Sequence, residues 1–151
     1  EQELSAHITN RPGRPILMAI TPGGRGELGK EHIAWELNRS VPEIPSPLFY
    51  RDRIYMVRNG GTLAAVDPET GKLSYRGRLG GTGQYSASPV AANGHLYLLS
   101  DQGILSVVKA GSKFEMAHRF QLPESASVSP ALDHDTLYIR GTAHLWAYRR
   151  R

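Results

Sequence analysis

Leu63-Ala64-Ala65-Val66-Asp67-Pro68-Glu69-Thr70-Gly71-Lys72-Leu73-Ser74-Tyr75 reads as an alternating strand, an acidic turn and a second strand. In the turn, Asp67 is placed to accept hydrogen bonds from backbone N–H groups, Pro68 presets its own φ, and Gly71 supplies the positive φ that reverses the chain. The stretch predicts a β-hairpin. It decides the fold because the same order of parts recurs on both sides of it.

Ser46-Pro47, Ser88-Pro89 and Ser129-Pro130 fall in register at offsets of about 41 to 42 residues, and Tyr55, Tyr97 and Tyr138 follow at the same offsets. Each copy opens with a short strand on Ser-Pro and continues through a polar turn, Arg51-Asp52-Arg53, Ala92-Asn93-Gly94 or Asp133-His134-Asp135. Next come apolar strands, Ile54-Tyr55-Met56-Val57, Leu96-Tyr97-Leu98-Leu99 and Leu137-Tyr138-Ile139, and then third strands over 63–66, 104–108 and 145–148. Fourth strands are predicted over 73–79 and 114–122. Upstream, Leu17-Met18-Ala19-Ile20-Thr21-Pro22 matches the first strand of the opening hairpin, and Ile33-Ala34-Trp35 matches the second, with a longer loop between.

Four short antiparallel strands repeated near 40 residues describe the blade of a β-propeller. An ordinary two-sheet sandwich would give period-2 strands without the long repeat. The fold class is therefore all-β, a partial propeller of four-stranded blades. Residues 1–15, with Pro12-Gly13-Arg14-Pro15, read as an irregular lead-in, in which 6–9 is a candidate edge strand. Residues 16–40 form a partial blade of two outer strands, 41–81 and 82–123 are blades, and 124–151 is a partial blade lacking its fourth strand. The expected core is Ile54, Met56, Leu63, Val66, Leu96, Leu98, Leu105, Val107, Leu137, Ile139 and Leu145.

Residues 65–75 resemble the Ala-x-Asp-x-x-Thr-Gly-Lys-x-x-Trp repeat of the PQQ-like, or quinoprotein-like, propellers. The resemblance covers roughly residues 16 to 148. Tyr75 stands where the family usually has Trp; Trp35 keeps the aromatic in the earlier copy and Met116 loses it in the later one. The family includes PQQ-dependent alcohol dehydrogenases and non-enzymatic scaffolds such as the outer-membrane assembly lipoprotein BamB, so the resemblance implies a fold before a function. It also implies a periplasmic or otherwise extracytoplasmic home in a bacterium.

A closed propeller needs about four to eight blades of roughly 40 to 45 residues, and 151 residues hold fewer. The expectation is either the C-terminal blades of a longer chain or several chains completing one ring. The absence of cysteine excludes disulfides and thiolate metal sites. No apolar run approaches the roughly 20 residues of a membrane span. The net charge of +4 comes from scattered Lys and Arg with one cluster at Arg149-Arg150-Arg151. A nucleic-acid surface would need basic residues focused on one face with stacking aromatics, whereas Tyr55, Tyr97 and Tyr138 read as blade packing.

Gly24-Arg25-Gly26-Glu27-Leu28-Gly29-Lys30 matches G-x-G-x-x-G and most of a P-loop. Residues 31–37 alternate like a strand, and Glu31 replaces the P-loop hydroxyl, so an extended hairpin loop is the better reading. His7, His32, His95, His118, His134 and His144 are too dispersed for zinc. Asp133-His134-Asp135 occupies the turn that is elsewhere Asn93-Gly94 and reads as a turn. No G-x-S-x-G marks a nucleophile, and Ser46, Ser88 and Ser129 read as strand openers. Asn38-Arg39-Ser40 matches a glycosylation acceptor, without meaning in a bacterial protein.

The innermost strands, 43–46, 85–88 and 126–129, carry one carboxylate, Glu43, too few for the calcium that accompanies PQQ. Glu43 aligns with Tyr85 and Ala126. With Gln84 and Tyr85 it is the candidate channel-mouth ligand set, and no catalytic, cofactor or metal residues are assigned. The expected function is a non-catalytic binding or scaffolding module for a protein or peptide, without nucleic acid or cofactor. The alternative is a fragment of a PQQ-dependent oxidoreductase, with PQQ and calcium held in further blades. A third reading is self-association to complete the ring.

Overall fold

The computed structural model describes residues 15–81 and 83–149. The lead-in over 1–14, its 6–9 stretch and the last two arginines lie outside those residues. Strands β1 (Leu17–Ile20) and β2 (Ile33–Leu37) form a two-stranded sheet. β3 (Leu48–Tyr50), β4 (Arg53–Arg58), β5 (Thr62–Val66) and β6 (Leu73–Arg78) form the first four-stranded sheet. β7 (Val90–Ala92), β8 (His95–Leu99), β9 (Ile104–Lys109) and β10 (Met116–Gln121) form the second, and β11 (Ala131–Asp133), β12 (Thr136–Arg140) and β13 (Leu145–Arg149) a three-stranded one. Every named strand pair is antiparallel and sequential in the chain. These are propeller blades in an arc that does not close.

The opening hairpin forms as its residues dictate. Asp67 Oδ1 accepts from the Glu69 amide at 3.0 Å, the Thr70 amide at 2.8 Å and Thr70 Oγ1 at 2.8 Å. Gly71 turns the chain at φ 67° and donates to the Asp67 carbonyl. These bonds, the Thr70 hydroxyl first, hold the Asp67 carboxyl below its ordinary range. The β3–β4 and β7–β8 hairpins turn on Arg51-Asp52 and Asn93-Gly94, all four residues at positive φ, as two-residue hairpin loops require. His134, at φ 47°, lies in the matching β11–β12 turn.

The alternation in each strand divides its side chains between two neighbours. Tyr55, Val57, Leu63 and Ala65 face the second four-stranded sheet and pack on its Leu96, Leu98 and Val108. The opposite face of that second sheet, with Leu99 and Leu105, packs on Leu137 and Ile139. Met56, Ala64 and Val66 face back onto Leu17 and Leu37 of β1 and β2. Most of the expected core is buried accordingly, while Ile54 and Val107 are half-buried. Leu145 is 67 % exposed, a correction with a simple cause. Its repeat counterparts Leu63 and Leu105 each meet the following sheet, and no sheet follows β13 among the described residues. The fourth strands are also slightly shorter than expected, at Leu73–Arg78 and Met116–Gln121.

The loop between β1 and β2 contains one 3-10 turn, Lys30–His32, and returns directly to a strand. Thr21 and His32 close its base through a 2.8 Å backbone bond. It is a hairpin loop without the long helix that a phosphate loop requires.

Candidate functional site

The three Ser-Pro serines do more than open strands. The Ser46 amide donates to Ser88 Oγ at 2.9 Å, and the Ser88 amide donates to Ser129 Oγ at 2.8 Å, so one hydroxyl per blade satisfies the backbone of the blade before it. A second series runs beside the first. Asn59 Oδ1 accepts the Tyr85 amide at 2.8 Å, and Asp101 accepts the Ser86 amide at 2.9 Å and its hydroxyl at 2.8 Å. Asn59 and Asp101 are 42 residues apart in the sequence, a spacing that would have exposed them as repeat partners. Further out, Tyr50 Oη accepts the Gly94 amide and Tyr55 Oη the Gly111 amide, each at 2.9 Å. Burial raises the Tyr55 phenol despite that bond.

Against this frame the expected ligand set divides. Asn59 brings two of its members together, donating its amide to Glu43 Oε2 at 3.3 Å while accepting from Tyr85. Glu43 and Gln84 are exposed on successive connectors. Tyr85 is fully buried in the core, so it does not present its side chain at a surface of this chain. The reason is the glycine-rich turn above it: a Cβ on Gly81 would lie 2.7 Å from the Tyr85 hydroxyl. Among the described residues that hydroxyl has no hydrogen-bond partner, and burial raises its pKa.

Glu124 was not singled out by the sequence, yet it makes the most densely bonded carboxylate among the described residues. It accepts from the Ala143 amide at 2.7 Å, Thr142 Oγ1 at 2.8 Å, the His144 amide at 3.1 Å and Trp146 Nε1 at 2.6 Å. The Ala143 bond leads in lowering its pKa to about 2. Glu124 caps the β12–β13 turn and has no free lone pair directed at a ligand. Its role is structural.

The donor set does not fit a calcium ion beside a quinone. Calcium takes six to eight oxygens, and among the described residues no three His, Asp or Glu side chains gather as metal ligands. Glu43 is engaged by Asn59 and Arg58, and Asp101 by Ser86. No helix among the described residues is long and apolar enough to cross a membrane.

The family described as outer membrane protein assembly factor BamB matches residues 28–151. The chain belongs to that family. Among curated proteins none matches. Among solved structures, BamB from Moraxella catarrhalis superposes with a TM-score of 0.65 at 15 % identity, covering 78 % of this chain and 36 % of that one. The quinohemoprotein alcohol dehydrogenase ADHIIG from Pseudomonas putida HK5 superposes with a TM-score of 0.60 at 15 % identity, covering 72 % of this chain and 24 % of that one. At such identity these likenesses concern the fold alone. The chain of this BamB-family protein spans about a third of the first structure and a quarter of the second.

Proposed function

We propose that this BamB-family chain is a non-catalytic, extracytoplasmic binding module that holds a protein or peptide taking part in outer-membrane protein assembly. The observation that carries the reading is the surface at the β3 connector: Ile44 is 65 % exposed directly beside the exposed Glu43. An exposed apolar anchor beside a carboxylate, with the exposed Gln84 on the next connector, has the chemistry of a protein contact rather than of a reaction centre. The engagement of Asp101 by the Ser86 amide and hydroxyl, beside a single carboxylate on the connector, supports the reading without a resident cofactor.

The test is a photo-cross-linking amino acid at position 44, compared with position 118 on β10. Adducts at position 44 with a defined outer-membrane assembly component or client, absent at 118, are expected. A parallel titration with PQQ and calcium, followed by absorbance, addresses the quinoprotein alternative. Saturable quinone binding without cross-linked protein would replace the proposal with the oxidoreductase reading.

A further inference from the structure

We propose that the face of the first four-stranded sheet turned toward β1 and β2 binds a small polar molecule bearing a phosphate monoester group, through Arg58, Arg76 and Arg78. The register places them together. Arg58 pairs with Thr62 across β4 and β5, Thr62 pairs with Arg78 across β5 and β6, and Ala64 pairs with Arg76. Directly opposed residues share a face of an antiparallel sheet, and so do residues two apart on one strand. All three guanidinium stems therefore rise from one face. Gly77, between two of them, turns to the other face, where a Cβ would lie 2.0 Å from the Phe114 ring.

These residues, with Ser40 and Thr62, line a cavity of about 370 Å³, within the range of small-molecule sites. Ser40, on the connector from β2, is almost buried and adopts φ 61°, outside any hairpin turn. Arg78 is held in place by donating to the Gly60 carbonyl at 3.0 Å. The carboxylate in reach among the described residues is Glu43, at 3.4 Å from Arg58, with both side chains substantially exposed; such a pair is weak. Among the described residues, Arg76 and Arg78 have no acidic partner within 4.0 Å. Three guanidiniums less one carboxylate, among the described residues, leave two positive charges around one cavity. A carboxylate ligand would neutralise half of that excess, whereas a phosphoryl dianion neutralises it all and matches the forked donors of arginine. The concavity is open to solvent and wider than a bare oxyanion, which leaves room for a hydrophilic remainder on the ligand.

The experiment is calorimetric titration of the chain with inorganic phosphate, a hexose phosphate and vesicles containing phosphatidic acid, at constant ionic strength. R76Q and R78Q are compared with wild type and with K113Q, on the β9–β10 loop that packs against the opposite face of the same sheet. Because Arg76 and Arg78 are exposed, the variants are expected to melt like wild type. Saturable binding that R76Q and R78Q each weaken by about tenfold or more, and that K113Q leaves unchanged, is the expected result. Hexose phosphate binding tighter than vesicles identifies a soluble ligand; the reverse order identifies a lipid headgroup carrying the same chemistry. Absence of saturable binding to all three probes, or equal weakening by K113Q, overturns the proposal.

Discussion

At the scale of single residues, the polar side chains that matter most are those that satisfy the backbone of another blade. Ser88→Ala removes the acceptor of the Ser46 amide. Losing such an exposed bond is expected to lower stability by about 0.5–1 kcal/mol, read as a shift in urea midpoint at unchanged m; a shift within error would mean that water replaces the hydroxyl at no cost. Glu124 adds a pH dependence. Its folded pKa of about 2 lies below the ordinary 4.5, so between those values the unfolded chain takes up a proton that the folded chain refuses. Its contribution is complete above the upper value and is lost as pH falls toward the lower one. Thermal melts across that window should show a flatter acid limb for Glu124→Gln than for wild type, with Asp67, also lowered, leaving some slope; superimposable limbs would remove Glu124 from the account. Asp67 was legible from the sequence because its turn is local. Glu124 was not, because its four donors lie 18 to 22 residues away on a turn whose approach only the folded chain creates.

At the scale of elements, each hairpin carries a contact to the next. Trp35 on β2 donates its indole N–H to the Pro68 carbonyl at 2.8 Å, and its ring lies where a Cβ on Gly71 would come within 2.7 Å. The turn that the sequence marks by its glycine is thus also the seat of the preceding blade's aromatic. Trp35→Ala is expected to cost about 2–3 kcal/mol, somewhat below the value for a fully buried ring. Gly71→Ala strains the positive φ and clashes with the same ring, and should cost more than about 1 kcal/mol. Chemical denaturation of both single variants and the double checks the pair: the effects should be less than additive, because each removes the same contact. The strands and their two-residue turns could be read because period-2 alternation and turn chemistry are local signals. The opposed arginines of β4 and β6 were read as scattered charge. Arg76 and Arg78 share a face by simple alternation, but only the strand pairing adds Arg58 to them.

At the scale of the whole molecule, the 41-to-42-residue repeat made the blade architecture legible, while solvent exposure depended on which neighbours each sheet finds. Phe49 is 63 % exposed on the face toward the two-stranded sheet, and Leu145 is 67 % exposed on the last sheet. Apolar side chains on uncovered sheet faces favour association, so light scattering after size exclusion should show mass rising with concentration. The double variant Phe49→Asp, Leu145→Asp should suppress that rise; a concentration-independent mass for the wild type would contradict it. The serine series bears on what any such neighbour must be. Its bonds all run in one sense, from the amide of one copy to the hydroxyl of the next, which gives the arc a head and a tail. Among the described residues Ser129 offers an amide onward and Ser46 a hydroxyl backward. A neighbour at the Ser129 end extends the series only by presenting an acceptor, and one at the Ser46 end only by presenting a donor. Two arcs joined in sequence would continue the amide-to-hydroxyl series, whereas two joined front to front would break it, so the three serines give the arc a preferred direction of growth.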